Sequence, residues 1–107
     1  MKPAPFDYFL ATSTDEAIQF LSGEEGEAII LAGGQTLMPL LSMRLARPDR
    51  VIDINEISDL SGIEEIDNEV IIKACTRQFM ALESSLVAMR LPLLRKGLSF
   101  VGHLQTR

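Results

Sequence analysis

Apolar and polar positions along the first half of the chain come in blocks, and each block reads as one element. Phe6, Asp7, Tyr8, Phe9 and Leu10 form a short aromatic run of strand character. Ser13, Thr14, Asp15 and Glu16 follow as an S-x-x-E capping box, which predicts a helix beginning at Thr14. Ala17, Ile18 and Leu21 then share one helical face, with Phe20 beside them. Gly23 ends that helix, and residues 24–27 make a solvated acidic turn. Residues 28–32 are apolar and uncharged and read as a buried strand. A strand–helix–strand unit of this kind most easily lays its two strands parallel.

Beyond Gly33 and Gly34, residues 37–43 are rich in Leu and Met and predict a short helix, with Pro39 tolerated in its first turn. Met38 and Met43 read as packing residues. Residues 50–54 predict a third strand, and residues 55–61 a polar loop with one tight turn. Ile63-Glu64-Glu65-Ile66, then Asp67-Asn68, then residues 69–74 give the pattern of a β-hairpin. Thr76 can cap a helix over about residues 77–84. A second helix should start near Leu91, with Pro92 in its first turn and Gly97 or Gly102 near its end. The pattern changes at about residue 55. It predicts an α+β chain of two subdomains: 1–55, a small three-stranded βαβ-type unit, and 56–107, a hairpin followed by helices.

At 107 residues the chain is one small domain or part of a larger one. No apolar run approaches a membrane span, and the N-terminus lacks the apolar core of a signal peptide, so the cytoplasm is the expected location. The single cysteine, Cys75, excludes an internal disulfide and a multi-cysteine metal site, and at the end of the apolar run 70–75 it reads as a small buried hydrophobe. The net charge of −5 argues against a general nucleic-acid binder. That charge is uneven. Residues 1–43 carry one basic and six acidic side chains, and residues 76–107 carry five basic and one acidic. Either these are solvated faces, or the basic end faces an anionic cofactor or a partner subunit. Arg44, Arg47 and Arg50 leave a similar pair of readings, surface salt bridging or docking to a partner. The seven acids from Asp53 to Glu69 read as an exposed edge, since their spacing matches no calcium loop.

The chemically suggestive junction is Ile30-Leu31-Ala32-Gly33-Gly34-Gln35-Thr36-Leu37-Met38, a strand running into a bare turn and then a helix. Glycines let a ligand approach the main chain, and the N–H groups of such a turn can converge on an anion. Read alone, a Gly-Gly pair after a strand is more often an ordinary turn than a phosphate cradle. A mononucleotide loop would need a lysine where Gln35 stands, and no third glycine completes a dinucleotide fingerprint. The one histidine, His103, has no nucleophile or orienting carboxylate beside it in sequence and reads as structural.

The run Ala32-Gly33-Gly34-Gln35-Thr36-Leu37-Met38-Pro39-Leu40-Leu41, continuing Ser42-Met43-Arg44-Leu45-Ala46-Arg47-Pro48, closely resembles the flavin (medium) subunit of molybdenum hydroxylases of the carbon monoxide dehydrogenase and xanthine dehydrogenase type. Val51-Ile52-Asp53-Ile54 and Val101-Gly102-His103-Leu104-Gln105-Thr106-Arg107 extend the resemblance over the whole chain. It implies the FAD-binding fold of that family, with an A-G-G-Q-[ST]-L loop wrapping the FAD pyrophosphate. The cofactor-binding residues would be Leu31, Ala32, Gly33, Gly34, Gln35, Thr36, Leu37 and Met38, with main-chain donors from Gly33 to Thr36 and no side chain acting as catalytic acid, base or metal ligand. It further implies an electron-transfer role beside a molybdopterin-containing large subunit and an iron–sulfur small subunit, delivering electrons to an external acceptor. Relatives continue past the point matching Arg107 into a second glycine loop, T-I-G-G. On that comparison the second subdomain is incomplete, and the isolated chain should bind FAD weakly or not at all. Phe100 would lie near the flavin. A non-catalytic assembly module is the alternative from another class. A sister oxidase with covalent flavin is disfavoured because no histidine lies near Gly33.

Overall fold

Strand β3 (Arg50–Asp53) is the axis of the first of two units into which the computed structural model divides, Met1–Asp59 and Leu60–Arg107. The structure describes residues 1–23 and 25–107; Glu24, in the predicted acidic turn, lies outside the described residues. In unit 1, β1 (Asp7–Leu10) and β2 (Ala28–Leu31) both pair with β3 in parallel, giving the order β1-β3-β2. The predicted strand–helix–strand unit forms, but its strands are separated by a third inserted between them. Consequently the strand expected to be buried is at an edge: Ile30 is 44% exposed, whereas Arg50, Val51 and Ile52 are all buried. An apolar run records how hydrophobic a strand is, and its position in the sheet decides how much of it meets water.

Helix α1 (Thr14–Ser22) starts where the capping box places it. The Ser13 hydroxyl accepts from the Glu16 N–H at 3.1 Å, and the Glu16 carboxylate accepts from the Thr12 N–H at 3.0 Å, one residue before the usual partner. Ala17 is buried, and Phe20 stacks on Phe9 with ring centroids 4.7 Å apart. Ile18, assigned from sequence to the same face, is 55% exposed. The stripe that meets the sheet is 17, 20 and 21, and residue 18 is turned about 100° away from Ala17. Helix α2 (Leu37–Ser42) is six residues long and presents only Leu41 fully to the core. Met38 and Met43 are about half exposed rather than packed inside, because so short a helix has one inward stripe. Ala11, Val51, Ile52 and Ile57 complete the buried apolar set of this unit.

Each arginine of the series donates to a main-chain carbonyl among the described residues. Arg44 Nε donates to the Lys2 carbonyl and Arg47 Nε to the Arg44 carbonyl, each at 3.0 Å. Arg50 is buried in β3, with Nη1 donating to the Glu25 carbonyl at 2.9 Å.

Unit 2 opens with the antiparallel hairpin β4 (Ile63–Ile66) and β5 (Glu69–Ile72). Asp67 and Asn68 between them both take positive φ, 48° and 66°, as a two-residue hairpin turn demands. Their short polar side chains tolerate that region. Helices α3 (Gln78–Glu83), α4 (Ser85–Arg90) and α5 (Pro92–Leu98) follow, with Ala81 and Val87 buried. Pro92 opens α5 as predicted.

Two sequence expectations fail in unit 2, and one helix goes unforeseen. Strand β5 stops at Ile72, so Cys75 is half-buried in the following turn, its N–H bonded to the Leu60 carbonyl at 2.7 Å. Thr76 does not cap α3: its hydroxyl accepts from the Gly62 N–H at 3.0 Å and donates to the Gly62 carbonyl at 2.9 Å, closing the hairpin base. Helix α4 was not predicted at all. Its signal was present, since Ser84 precedes an apolar run and its hydroxyl accepts from the Val87 N–H at 3.2 Å. The exposed acidic edge is seen across residues 64–69, where Glu65 pairs with Arg90.

Candidate functional site

Because β1 and β2 run parallel to β3, their carboxyl ends, Leu10 and Leu31, align with Asp53 at one margin of the sheet. Residues 31–38 leave β2 there, the margin at which open α/β sheets bind ligands. Leu31 and Ala32 are half-buried, Gly33 is exposed, and Gln35 and Thr36 project to solvent before Leu37 returns toward the core. The Met38 N–H donates to the Gly34 carbonyl at 2.9 Å, and the Leu40 N–H to that of Thr36 at 3.4 Å. Helical winding therefore consumes the Gly34 and Thr36 carbonyls and leaves the amides of the turn. Among the described residues, none accepts a hydrogen bond from the N–H groups of Gly33, Gly34, Gln35 or Thr36.

Gly34 has φ 76°, and a Cβ built on it would meet Met38 Cγ at 3.1 Å and Leu31 Cδ1 at 3.3 Å. Glycine adopts that conformation without the strain a β-branched side chain would bring. Residues 31–38 contain no carboxylate to repel an anion. Open main-chain donors on a bare turn at a strand end are the donor set that a pyrophosphate requires, so these residues fit an FAD diphosphate on their donor chemistry.

Sequence reasoning missed the groups behind the turn. Asn55 Nδ2 donates to the Ala32 carbonyl at 2.8 Å and to Asp53 Oδ1 at 2.7 Å, and the Asn55 N–H donates to the same oxygen at 2.9 Å. The Tyr8 hydroxyl donates to Asp53 Oδ2 at 2.6 Å. A D-x-N sequence leaving a strand at the same margin as the glycine turn was the available signal.

The Tyr8 phenol is pushed above its ordinary value of 10, first because ionisation would forfeit the hydrogen bond to Asp53, then through partial desolvation and the negative charges of Asp53 and Glu56. Tyr8 is the only tyrosine and the chain has no tryptophan, so alkaline absorbance titration reads this group alone. The folded midpoint should lie above that of the urea-unfolded chain, and Asp53→Asn should lower it. A raised folded value means the bond contributes stability below the unfolded pKa and loses it as pH climbs through the folded one. Coincident folded and unfolded midpoints would show that the bond does not form in solution.

The remaining residues singled out from sequence lie in unit 2. Phe100 is largely exposed. His103 is exposed and caps the 3-10 turn Leu104–Thr106, its N–H donating to Thr106 Oγ1 at 3.1 Å. Among the described residues no group of three or more His, Cys, Asp or Glu side chains could hold a metal, and no helix is long and apolar enough to cross a membrane.

The family model described as FAD binding domain in molybdopterin dehydrogenase matches residues 4–107. Subunit alpha of the 6-hydroxypseudooxynicotine dehydrogenase complex of Paenarthrobacter nicotinovorans is 37% identical over 107 residues, covering 100% of this chain and 36% of that one. Caffeine dehydrogenase subunit beta of a Pseudomonas species is 36% identical, again over 100% of this chain and 36% of its own length. The solved carbon monoxide dehydrogenase of Hydrogenophaga pseudoflava superposes with a TM-score of 0.95 at 37% identity, over 100% of this chain and 37% of that one. The chain thus spans little more than a third of the length of these relatives. Its sequence and its α+β fold agree with these relatives, and the chain belongs to the FAD-binding domain family of molybdopterin dehydrogenases, that of the medium subunits of molybdenum hydroxylases.

Proposed function

We propose that this chain forms one wall of the FAD site in the medium subunit of a molybdenum hydroxylase of carbon monoxide or xanthine dehydrogenase type. The carrying observation is the turn after β2, where the N–H groups of Gly33, Gly34, Gln35 and Thr36 have no acceptor among the described residues. Those amides hold the FAD pyrophosphate, Gly33 and Gly34 let the main chain come close to it, and the Gln35 and Thr36 side chains add polar contacts. Leu31, Ala32, Leu37 and Met38 anchor the turn to the strand before it and the helix after it. When bound, FAD supplies the redox chemistry; the protein fixes its place and its potential.

In this reading the subunit relays electrons from iron–sulfur clusters of a small subunit to an external acceptor. Substrate oxidation belongs to a molybdopterin-containing large subunit. The relatives support that division of labour: dehydrogenases named for a pseudooxynicotine, caffeine and carbon monoxide share this stretch at nearly equal identity, so it does not encode the substrate. The test is to purify the full-length polypeptide that carries this chain, release its cofactor by heat, and identify it by chromatography and mass. FAD in near-stoichiometric amount is expected, and absence of flavin would leave the non-catalytic assembly module as the function.

A further inference from the structure

Main-chain pairing between β3 and β2 ends with the Ile54 N–H donating to the Leu31 carbonyl at 3.1 Å. The next carbonyl, that of Ala32, lies one residue past the ladder. There the Asn55 side chain takes over: its Nδ2 donates to the Ala32 oxygen at 2.8 Å, a bond across 23 positions of sequence. A side chain thus adds one more rung to the sheet, directed at the residue that starts the glycine turn. The Ala32 C=O and the Gly33 N–H belong to one rigid trans peptide unit. Fixing the carbonyl oxygen therefore fixes the opposite direction of the Gly33 N–H, the first donor of the turn.

Asn55 is itself held. Asp53 Oδ1 accepts from both its side-chain and main-chain nitrogens, at 2.7 and 2.9 Å, and Asp53 Oδ2 accepts from Tyr8 at 2.6 Å. Hydrogen bonds to a carboxylate are stronger than neutral ones, so the amide has little freedom to rotate away from Ala32. The chain of contacts runs from Tyr8 in β1 through the end of β3 to the turn after β2.

We infer that Asn55, oriented by Asp53, is a positioning residue for the cofactor turn, presetting the Gly33 N–H toward the diphosphate so that binding does not have to order it. This rests on the proposed FAD site. Orienting a donor before the ligand arrives strengthens binding by removing an ordering cost, without adding a contact.

In the full-length polypeptide stripped of flavin, Asn55→Ala should raise the FAD dissociation constant on the order of tenfold, read by quenching of flavin fluorescence. Its Tyr8 phenol, followed as the absorbance difference from the matching Tyr8→Phe variant, should keep the raised midpoint, showing that the Tyr8–Asp53 pair survives. Val51→Ala, which empties a buried position of the same strand, serves as the control. It should lower the melting temperature more than Asn55→Ala does and leave FAD affinity within about twofold of wild type, a change of about 0.4 kcal/mol. If Asn55→Ala binds FAD as wild type does while Gly34→Val does not bind it, the positioning role is wrong and the cofactor site stands. If Gly34→Val binds normally as well, the site itself is misassigned and the positioning role goes with it. Equal loss of affinity in Asn55→Ala and Val51→Ala would reduce the Asn55 effect to general stability and overturn the inference.

Discussion

Gly34→Val is expected to abolish FAD retention by the full-length polypeptide and, separately, to lower the melting temperature of the flavin-free form. Sequence alone suggests only the first effect, because glycine beside an anion reads as room for the ligand, with the fold left largely intact. The structure adds the second. Gly34 has φ 76°, and its Cβ position lies 3.1 Å from Met38 Cγ and 3.3 Å from Leu31 Cδ1. A β-branched residue there is strained by about 1–3 kcal/mol, a sizeable part of the stability of a small domain but less than all of it. The polypeptide should therefore still fold. Retained visible flavin absorbance reports the first effect and a melt of the apo-protein the second. The cradle is misplaced if flavin content survives. Gly34→Ala separates conformation from bulk, since it imposes the same backbone strain with a smaller side chain.

The second large effect belongs to the core. Ile52→Ala should destabilise unit 1 by about 2–5 kcal/mol, the range for deleting a buried aliphatic side chain in a packed site. Ile52 is fully buried in the central strand, whereas Ile30, its register partner in β2, is 44% exposed. Ile30→Ala forfeits only part of the transfer term and should cost about 1 kcal/mol. Urea melts of the two variants would rank them. Equal losses would mean that β3 is not the interior strand.

How much of this could be read from the chain follows the range of the interactions involved. Ser13 with Glu16, Asp67 with Asn68, and Pro92 each act on neighbours within a few residues, and each forms the cap, turn or helix start its chemistry requires. The glycine turn is equally local, which is why residues 31–38 could be singled out and why their resemblance to a flavoprotein family was visible. Thr76 shows where locality misleads. Its hydroxyl could serve a helix one residue on, yet it binds Gly62, which the hairpin returns to its side. Ile18 was misplaced for a related reason: helical periodicity defines a stripe, and the sheet selects its centre, here Ala17 and Phe20.

The sequence by itself determined most of the elements and the family, because these depend on residues close together in the chain and on a motif read in order. Only the tertiary structure decided that β3 lies between β1 and β2, that the most apolar strand sits at an edge, and that Asn55 reaches the Ala32 carbonyl. The physical reason is that strand order is set by the combined burial of faces and ladders contributed by distant segments. A hydrogen bond spanning 23 positions leaves no periodic trace in either segment that makes it.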